Sequence, residues 1–252
     1  MGRMTTHRRA KTLLGDRDLQ IRLSWYDPGE VMAVHTHQFG QVSVLLAGSF
    51  REISDGRNID NHAAHIGYKP ARLAHANLYG DTGALILAID FGDRDYPAAR
   101  QWGWQPARAE QFAMTRQIVS GELAVEELRN SALDLTASAM PRQANDRKPA
   151  RWAVHLRDKL RDEHVVDLAA TARQIGIHPA HLSRGFREWF GAPPSVYALR
   201  CRMGRAVQAL ASGESAAMAA ESAGFADQSH FIRTLKRETG LTPKRLVQAI
   251  AG

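Results

Sequence analysis

The sequence predicts two domains of unlike class. The N-terminal one is all-β, a small antiparallel barrel or jelly roll with trailing helices; the C-terminal one is all-α, with two helix-turn-helix units. Three observations carry this. From Leu19 to about Gly92, short runs alternate apolar and polar residues and are divided by Gly, Pro, Asn and Asp, the pattern of half-buried strands in a closed antiparallel sheet. From Pro106 onward apolar residues recur three and four apart, as on one face of a helix. Between Asp167 and Pro243 one grammar occurs twice: a short helix, a glycine turn and a longer helix. A length of 252 residues allows one large or two ordinary domains.

Residues 1–18 open polar and basic (Met1-Gly-Arg-Met-Thr-Thr-His-Arg-Arg9) and are expected to be a flexible lead. The barrel is expected over 19–104. Leu19–Trp25 is its first strand, Tyr26-Asp-Pro-Gly29 a turn, Val31–His37 the second strand and Gln41–Ala47 the third, closed by Gly48. Phe50–Ile53 runs to a turn at Asp55-Gly56, and His65–Tyr68 and Leu85–Phe91 follow. Residues 105–140 form a helical segment: one helix over Pro106–Val119, a break at Gly121, then a second over Glu122–Ala139. In that second helix Val125, Leu128, Ala132, Leu135 and Ala139 make an apolar seam that either packs on the barrel or pairs with a second chain. Residues 141–150, polar and twice punctuated by proline, read as a linker.

Residues 151–252 are the helical domain. In its first unit Leu168, Ala169, Ala172 and Ile175 line a short helix that Gly176 stops, because glycine takes the left-handed turn at little cost. Pro179 suits the first turn of the next helix. There Leu182, Phe186, Trp189 and Phe190 supply the buried side, leaving Ala180, His181, Ser183, Arg184 and Arg187 for a partner. In the second unit Ala216–Ala223 is the short helix, Gly224-Phe225 the turn and Asp227 the N-cap. Phe231 and Leu235 face inward, and Gln228, Ser229, His230, Arg233, Lys236 and Arg237 face out. An apolar-periodic helix over Ser195–Ala211 joins the units; at about 1.5 Å per residue it spans roughly 25 Å. With its flanking turns it sets the two outer helices toward about 34 Å apart, the repeat of successive major grooves.

These residues resemble the C-terminal domain of the AraC/XylS family of transcription regulators, over about Trp152–Val247. The most specific pieces are Gly224-Phe-Ala-Asp-Gln-Ser-His-Phe231 and Lys236-Arg-Glu-Thr-Gly-Leu-Thr-Pro243, with Leu182-Ser-Arg-Gly-Phe186, Gly191, Arg202 and Ala206 also in place. The resemblance implies sequence-specific binding to duplex DNA, with Pro179, Ala180, His181, Ser183, Arg184, Arg187, Asp227, Gln228, Ser229, His230, Arg233, Lys236 and Arg237 at the interface. Arg184 and Arg233 are the candidates for guanine, whose two acceptors match a guanidinium fork. Charge agrees. Residues 1–150 carry 18 Lys and Arg against 17 Asp and Glu, while 151–252 carry 15 against 9, and a basic module beside a neutral one is the balance a polyanion binder shows.

Within the β unit, Gly29, His35-Thr-His37, Gln41 and Gly48 resemble the first cupin motif, with Gln41 where a glutamate normally stands; Gly67-Tyr-Lys-Pro70 and His75-Ala-Asn77 are a fainter second motif. His35 and His37, two apart on a strand, leave the same face, and His75 would complete a three-nitrogen site open to a fourth ligand. Trp25, His35, His37, Gln41 and His75 are the candidate effector-binding residues; Tyr68 and Tyr79 are candidate walls, and His62 and His65 are expected to be solvated. No cofactor and no resident metal are expected, and no second carboxylate beside the histidines is legible.

The expectation is a DNA-binding regulator of AraC type, not an enzyme, that answers to a small-molecule effector in the barrel. The resemblance further implies a homodimer and contact with RNA polymerase. The alternative is a metal-dependent cupin enzyme or metal sensor fused to a DNA-binding domain. A single cysteine, Cys201, excludes a disulfide framework within one chain and fits a reducing compartment. Nothing reads as a secretory leader or a membrane span, so a cytoplasmic protein is expected.

Overall fold

The computed structural model describes residues 9–92, 102–139, 149–163 and 166–250. The polar lead before Arg9 and residues 141–148 of the expected linker lie outside that set. The N-terminal unit is one antiparallel sheet of β1 (Arg9–Gly15), β2 (Leu19–Tyr26), β3 (Val31–His35), β4 (Gly40–Ser54), β5 (Arg57–His62), β6 (His65–Lys69), β7 (His75–Phe91) and β8 (Gly103–Pro106). Its order is β1-β2-β7-β4-β6-β8, with β3 also on β7 and β5 also on β4. Strand β1 lies inside the stretch expected to be a flexible lead.

Two long strands carry the sheet. Gly48 does not end a strand. The chain runs through it as a bulge, with φ +83° and register shifts at Leu45/Ala47 and Gly48/Phe50. A Cβ at Gly48 would meet the Gly83 carbonyl oxygen at 1.9 Å, so only glycine lets β4 and β7 bend past each other there. The bulge gives each strand two sets of neighbours: β2 and β6 before the bend, β3 and β5 beyond it.

The expected barrel is corrected. Among the described residues β1 and β8 end the sheet path without pairing to each other, and closure requires that last pairing at a consistent stagger. Helices cover part of what closure would have protected, since elements of the C-terminal domain pack on β1, β2 and β4.

Nine helices follow among the described residues: α1 (Ala109–Ser120), α2 (Val125–Ser138), α3 (Arg151–Asp162), α4 (Leu168–Ile175), α5 (Pro179–Phe190), α6 (Pro194–Ala211), α7 (Ala216–Ser222), α8 (Gln228–Thr239) and α9 (Pro243–Ile250). The seam of α2 is buried inside this chain: Ala132, Leu135 and Ala139 join the main core, while Val125 stays 61% exposed. That core is continuous from sheet to helices, running from Ile21, Leu23 and Leu87 to Val207, Phe231, Leu235 and Leu246. A second cluster, with Leu156, Leu182, Phe186 and Tyr197, serves α3, α5 and the start of α6. Helix α6 is therefore the keel. It comes so close to the bend of the sheet that a Cβ on Gly204 would sit 3.3 Å from Gly48 and 3.1 Å from the Thr82 hydroxyl.

Candidate metal centre and candidate nucleic-acid interface

Both helix pairs are built by the same turn. Gly176 and Gly224 take φ of +76° and +78°, and the N–H of the next residue reaches back, Ile177 to the Ala172 carbonyl at 3.0 Å and Phe225 to the Ala220 carbonyl at 2.9 Å. Left-handed glycines end both short helices in this way. Each pair also caps its helices. Asp167 accepts from the Ala170 N–H at 2.9 Å, and Asp227 from the His230 N–H at 2.6 Å. At α5 the cap is the His178 ring, which accepts from the Ala180 N–H at 3.2 Å, with Pro179 in the first turn.

Most residues of the expected set lie at the surface of α5 and α8. On α5, Pro179, Ala180, His181, Arg184 and Arg187 are exposed and Ser183 is half-buried. On α8, Gln228, Ser229, Arg233, Lys236 and Arg237 are exposed, while His230 is half-buried with its ring 5.3 Å from that of Phe225. Asp227 is exposed, but its carboxylate is engaged in the cap. Arg237 pairs with Glu238 at 3.1 Å. Arg184, Arg187, Arg233 and Lys236 have no ion-pair partner among the described residues, which leaves their charge available to a polyanion.

In the sheet, β3 pairs with the start of β7 so that His35 lies directly opposite His75. The strand ends at His35 and His37 follows it, its carbonyl accepting from the Arg72 N–H at 2.8 Å. The three rings nevertheless converge, with centroids 4.3 Å apart for His35–His75 and 5.1 Å for the other two pairs. One ring nitrogen from each lies within 4.8 Å of the others. The Nδ1–H of His35 donates to the Ala33 carbonyl at 2.9 Å and that of His75 to the Leu73 carbonyl at 3.0 Å. A carbonyl only accepts, so each Nδ1 carries a proton and Nε2 is the nitrogen left to face a metal. Nε2 of His75 is buried with no hydrogen-bond partner. Burial, reinforced by the Lys69 charge, pulls His37 down to about 3 and His75 down to about 4, so both are neutral at pH 7.

This cluster corrects the reading that the chain has no catalytic or metal-holding centre. Three imidazoles around one point are a donor set for a divalent transition metal with a position left open. The adjoining cavity of about 110 Å3 holds only a few waters at roughly 30 Å3 each. Gln41 and Tyr79 line it. The Gln41 amide donates to Asp90 at 2.7 Å and accepts from the Ser43 hydroxyl at 3.1 Å. Trp25 does not line it. It is fully buried in the main core and donates to Asp27 at 2.8 Å. Tyr68 is core as well.

Three groups escaped the sequence reading. Glu52, fully buried, lies 3.1 Å from the Lys69 ammonium and 3.7 Å from His75 Nε2, and accepts from the Trp104 indole N–H. Lys69 lines the histidine cavity, as does Tyr26, which stacks at 4.2 Å on Tyr79, an expected wall residue. So a carboxylate does stand beside the histidines. It was invisible because Glu52 lies beyond the bulge, where the strand had been divided in two. Alternation along one unbroken β4 was the signal that could have found it. His62 and His65 are also corrected: they are half-buried at the sheet–helix junction, with His62 Nδ1 3.2 Å from the Tyr197 hydroxyl.

Residues 171–249 match the model of a helix-turn-helix domain family, so the C-terminal helices are a DNA-binding fold. The bifunctional transcriptional activator/DNA repair enzyme Ada of Escherichia coli strain K12 is 35% identical over 86 residues, 34% of this chain and 24% of that protein; the chain thus spans about a quarter of that relative's length. Among solved structures, ToxT from Vibrio cholerae covers 94% of this chain and 100% of its own at 9% identity, with a TM-score of 0.38. A cupin superfamily protein from Desulfitobacterium hafniense covers 34% of this chain and 78% of its own at 21% identity, with a TM-score of 0.33. No helix among the described residues is long and apolar enough to cross a membrane.

Proposed function

We propose that this protein is a DNA-binding transcription regulator whose N-terminal sheet carries a divalent-metal centre at His35, His37 and His75. The observation that carries the metal half is the convergence of three ring nitrogens within 4.8 Å, two of the rings held by backbone carbonyls. Such outer bonds fix tautomer and orientation in metal sites. Imidazole donors suit zinc, iron, nickel or copper; an ion there would supply Lewis acidity at an open position. The DNA half is supported by the helix-turn-helix match over 171–249 and by the exposed Arg184, Arg187, Arg233 and Lys236. In this reading α5 and α8 enter two successive major grooves, Arg184 and Arg233 read guanines, and the other basic groups hold phosphates. A second copy of the chain and RNA polymerase are the partners it implies.

The buried Glu52–Lys69 pair beside His75 favours a second reading, in which the centre is also catalytic. Lys69 and Tyr79 face the same small cavity. Tyr79 keeps its proton, since burial raises its pKa well above the ordinary value, and it can donate a hydrogen bond to a bound oxygen.

The test is metal content and DNA affinity of the purified full-length protein. Close to one ion per chain, lost in His35→Ala and His75→Ala, is expected, together with DNA binding that changes when a chelator strips the ion. Protein that stays metal-free after incubation with Zn2+, Fe2+ and Ni2+ would sink the metal half. Turnover that needs Lys69 while DNA affinity ignores the metal would favour the catalytic reading.

A further inference from the structure

Two buried atoms face each other beside the histidine centre, and neither has a hydrogen bond: Nε2 of His75 and Oε1 of Glu52, 3.7 Å apart. That distance is too long for a hydrogen bond between them. The Nδ1–H of His75 is already given to the Leu73 carbonyl at 3.0 Å. A carboxylate withdrawn from water costs stability unless its lone pairs are met.

The rest of Glu52 is fixed. Its other oxygen accepts from the Trp104 indole N–H, which orients the group and leaves Oε1 toward His75; carboxylates that hold metals are commonly steadied by such a bond. The buried Lys69 ammonium lies 3.1 Å from the same Oε1 and balances its charge without a hydrogen bond to it. Zinc takes imidazole nitrogen and carboxylate oxygen at about 2.0–2.2 Å, so one ion can touch both orphaned atoms. Glu52 lies outside the 4.8 Å grouping of the three histidines and would reach the ion from the His75 side. The Gln41 amide is occupied elsewhere, donating to Asp90 and accepting from Ser43.

We infer that Glu52 is a fourth protein ligand of the divalent ion, and that Lys69 competes with the ion for its carboxylate. The inference rests on the histidine centre proposed above and adds its one anionic donor. An opposite charge draws a dication in and a like charge beside it opposes binding. Two substitutions that break the same ion pair should therefore move metal affinity in opposite directions. A pair that only braces the sheet would not do this.

The test is Zn2+ affinity of the full-length protein, by competition with a chromophoric chelator, with the visible absorption of bound Co2+ as a second readout. Lys69→Met should tighten Zn2+ binding by about tenfold. Glu52→Gln alone leaves the Lys69 charge buried and unpaired, so the decisive comparison adds Glu52→Gln to Lys69→Met. The double variant should bind about tenfold or more weakly than Lys69→Met, and its Co2+ bands should shift. If it does not fold, as judged by circular dichroism, Glu52→Asp takes its place; its shorter carboxylate should weaken binding by about tenfold. Equal affinity and an unchanged Co2+ spectrum without Glu52, or with Asp in its stead, overturn the inference and leave the histidine centre standing. Weaker binding in Lys69→Met overturns it as well. Protein that takes up neither ion refutes the histidine centre and this inference together.

Discussion

The two helix-turn-helix units share a turn, and side chains cap the helices of both, but they are stabilised differently. The first rests on a cluster of its own, in which Phe186 lies 4.6 Å from Phe190 and 5.5 Å from Tyr197, ring to ring. The second shares the core of the sheet: Phe231 and Leu235 belong to the same cluster as Ile21 and Leu87. Helix α1 also holds the end of α8 directly, since Arg116 donates to the Arg237 carbonyl at 2.8 Å. Two copies of one motif thus differ in what they report to. The first meets the sheet at contacts such as Tyr197 with His62, whereas the second is built into the core of the sheet.

The largest effect that tests this difference comes from the two buried rings. Phe231→Ala and Phe186→Ala should each cost about 3–5 kcal/mol. Hydrogen exchange should then show Phe231→Ala loosening β2 and β7 along with α8, and Phe186→Ala loosening only α3, α4 and α5. Equal spread from both variants would mean that the two clusters are one cooperative unit.

Acid should come next. Burial holds His62 down to about 4 and His65 down to about 3, while unfolded histidine titrates near 6.5. Below about pH 6.5 the unfolded chain binds protons that the folded chain refuses. Stability is therefore full above that pH and falls as pH drops toward 4 and then 3. The melting temperature should follow this slope between pH 7 and 4, and His65→Gln should flatten it; an unaltered slope would remove His65 as a cause.

The exposed arginines should have a smaller effect, and on DNA rather than on stability. Arg184→Ala and Arg233→Ala should each weaken binding to a determined site by about 1–3 kcal/mol at one base position. Selectivity unchanged in both variants would refute the assignment of α5 and α8 as readers. The smallest effect belongs to the caps. Asp167→Ala and Asp227→Ala should each cost about 1 kcal/mol, measured by denaturant melts, and only Asp227→Ala should reach the half of the core shared with the sheet.

The parts most legible in the sequence were local ones. Gly176, Pro179, Gly224 and Asp227 announce turns and helix starts by their own backbone preferences, so α5 and α8 were placed to within a residue or two. The alternation over Leu19–Trp25 marked β2 for a similar reason. What escaped depended on neighbours distant along the chain. Arg57–His62 is polar and looks like a loop, but β4 makes it a strand by supplying hydrogen bonds. Gly48 reads as a stop when taken singly, and only the approach of Gly83 reveals it as a bulge. His62 and His65 read as solvated until α6 is laid over them.

By itself the sequence determined the two classes of domain, the paired helix-turn-helix units with their outward basic faces, and His35 and His37 as a pair. Backbone preference, periodicity and charge are properties of adjacent residues. Tertiary structure alone decided that the sheet stays open, that His75 meets His35 across a strand pair with Glu52 and Lys69 behind it, and that the α2 seam is buried within the chain. It also decided that five arginines share a cavity in which one lacks a counter-charge among the described residues. These depend on which strands and helices come together, and burial and electrostatics act through space rather than along the chain.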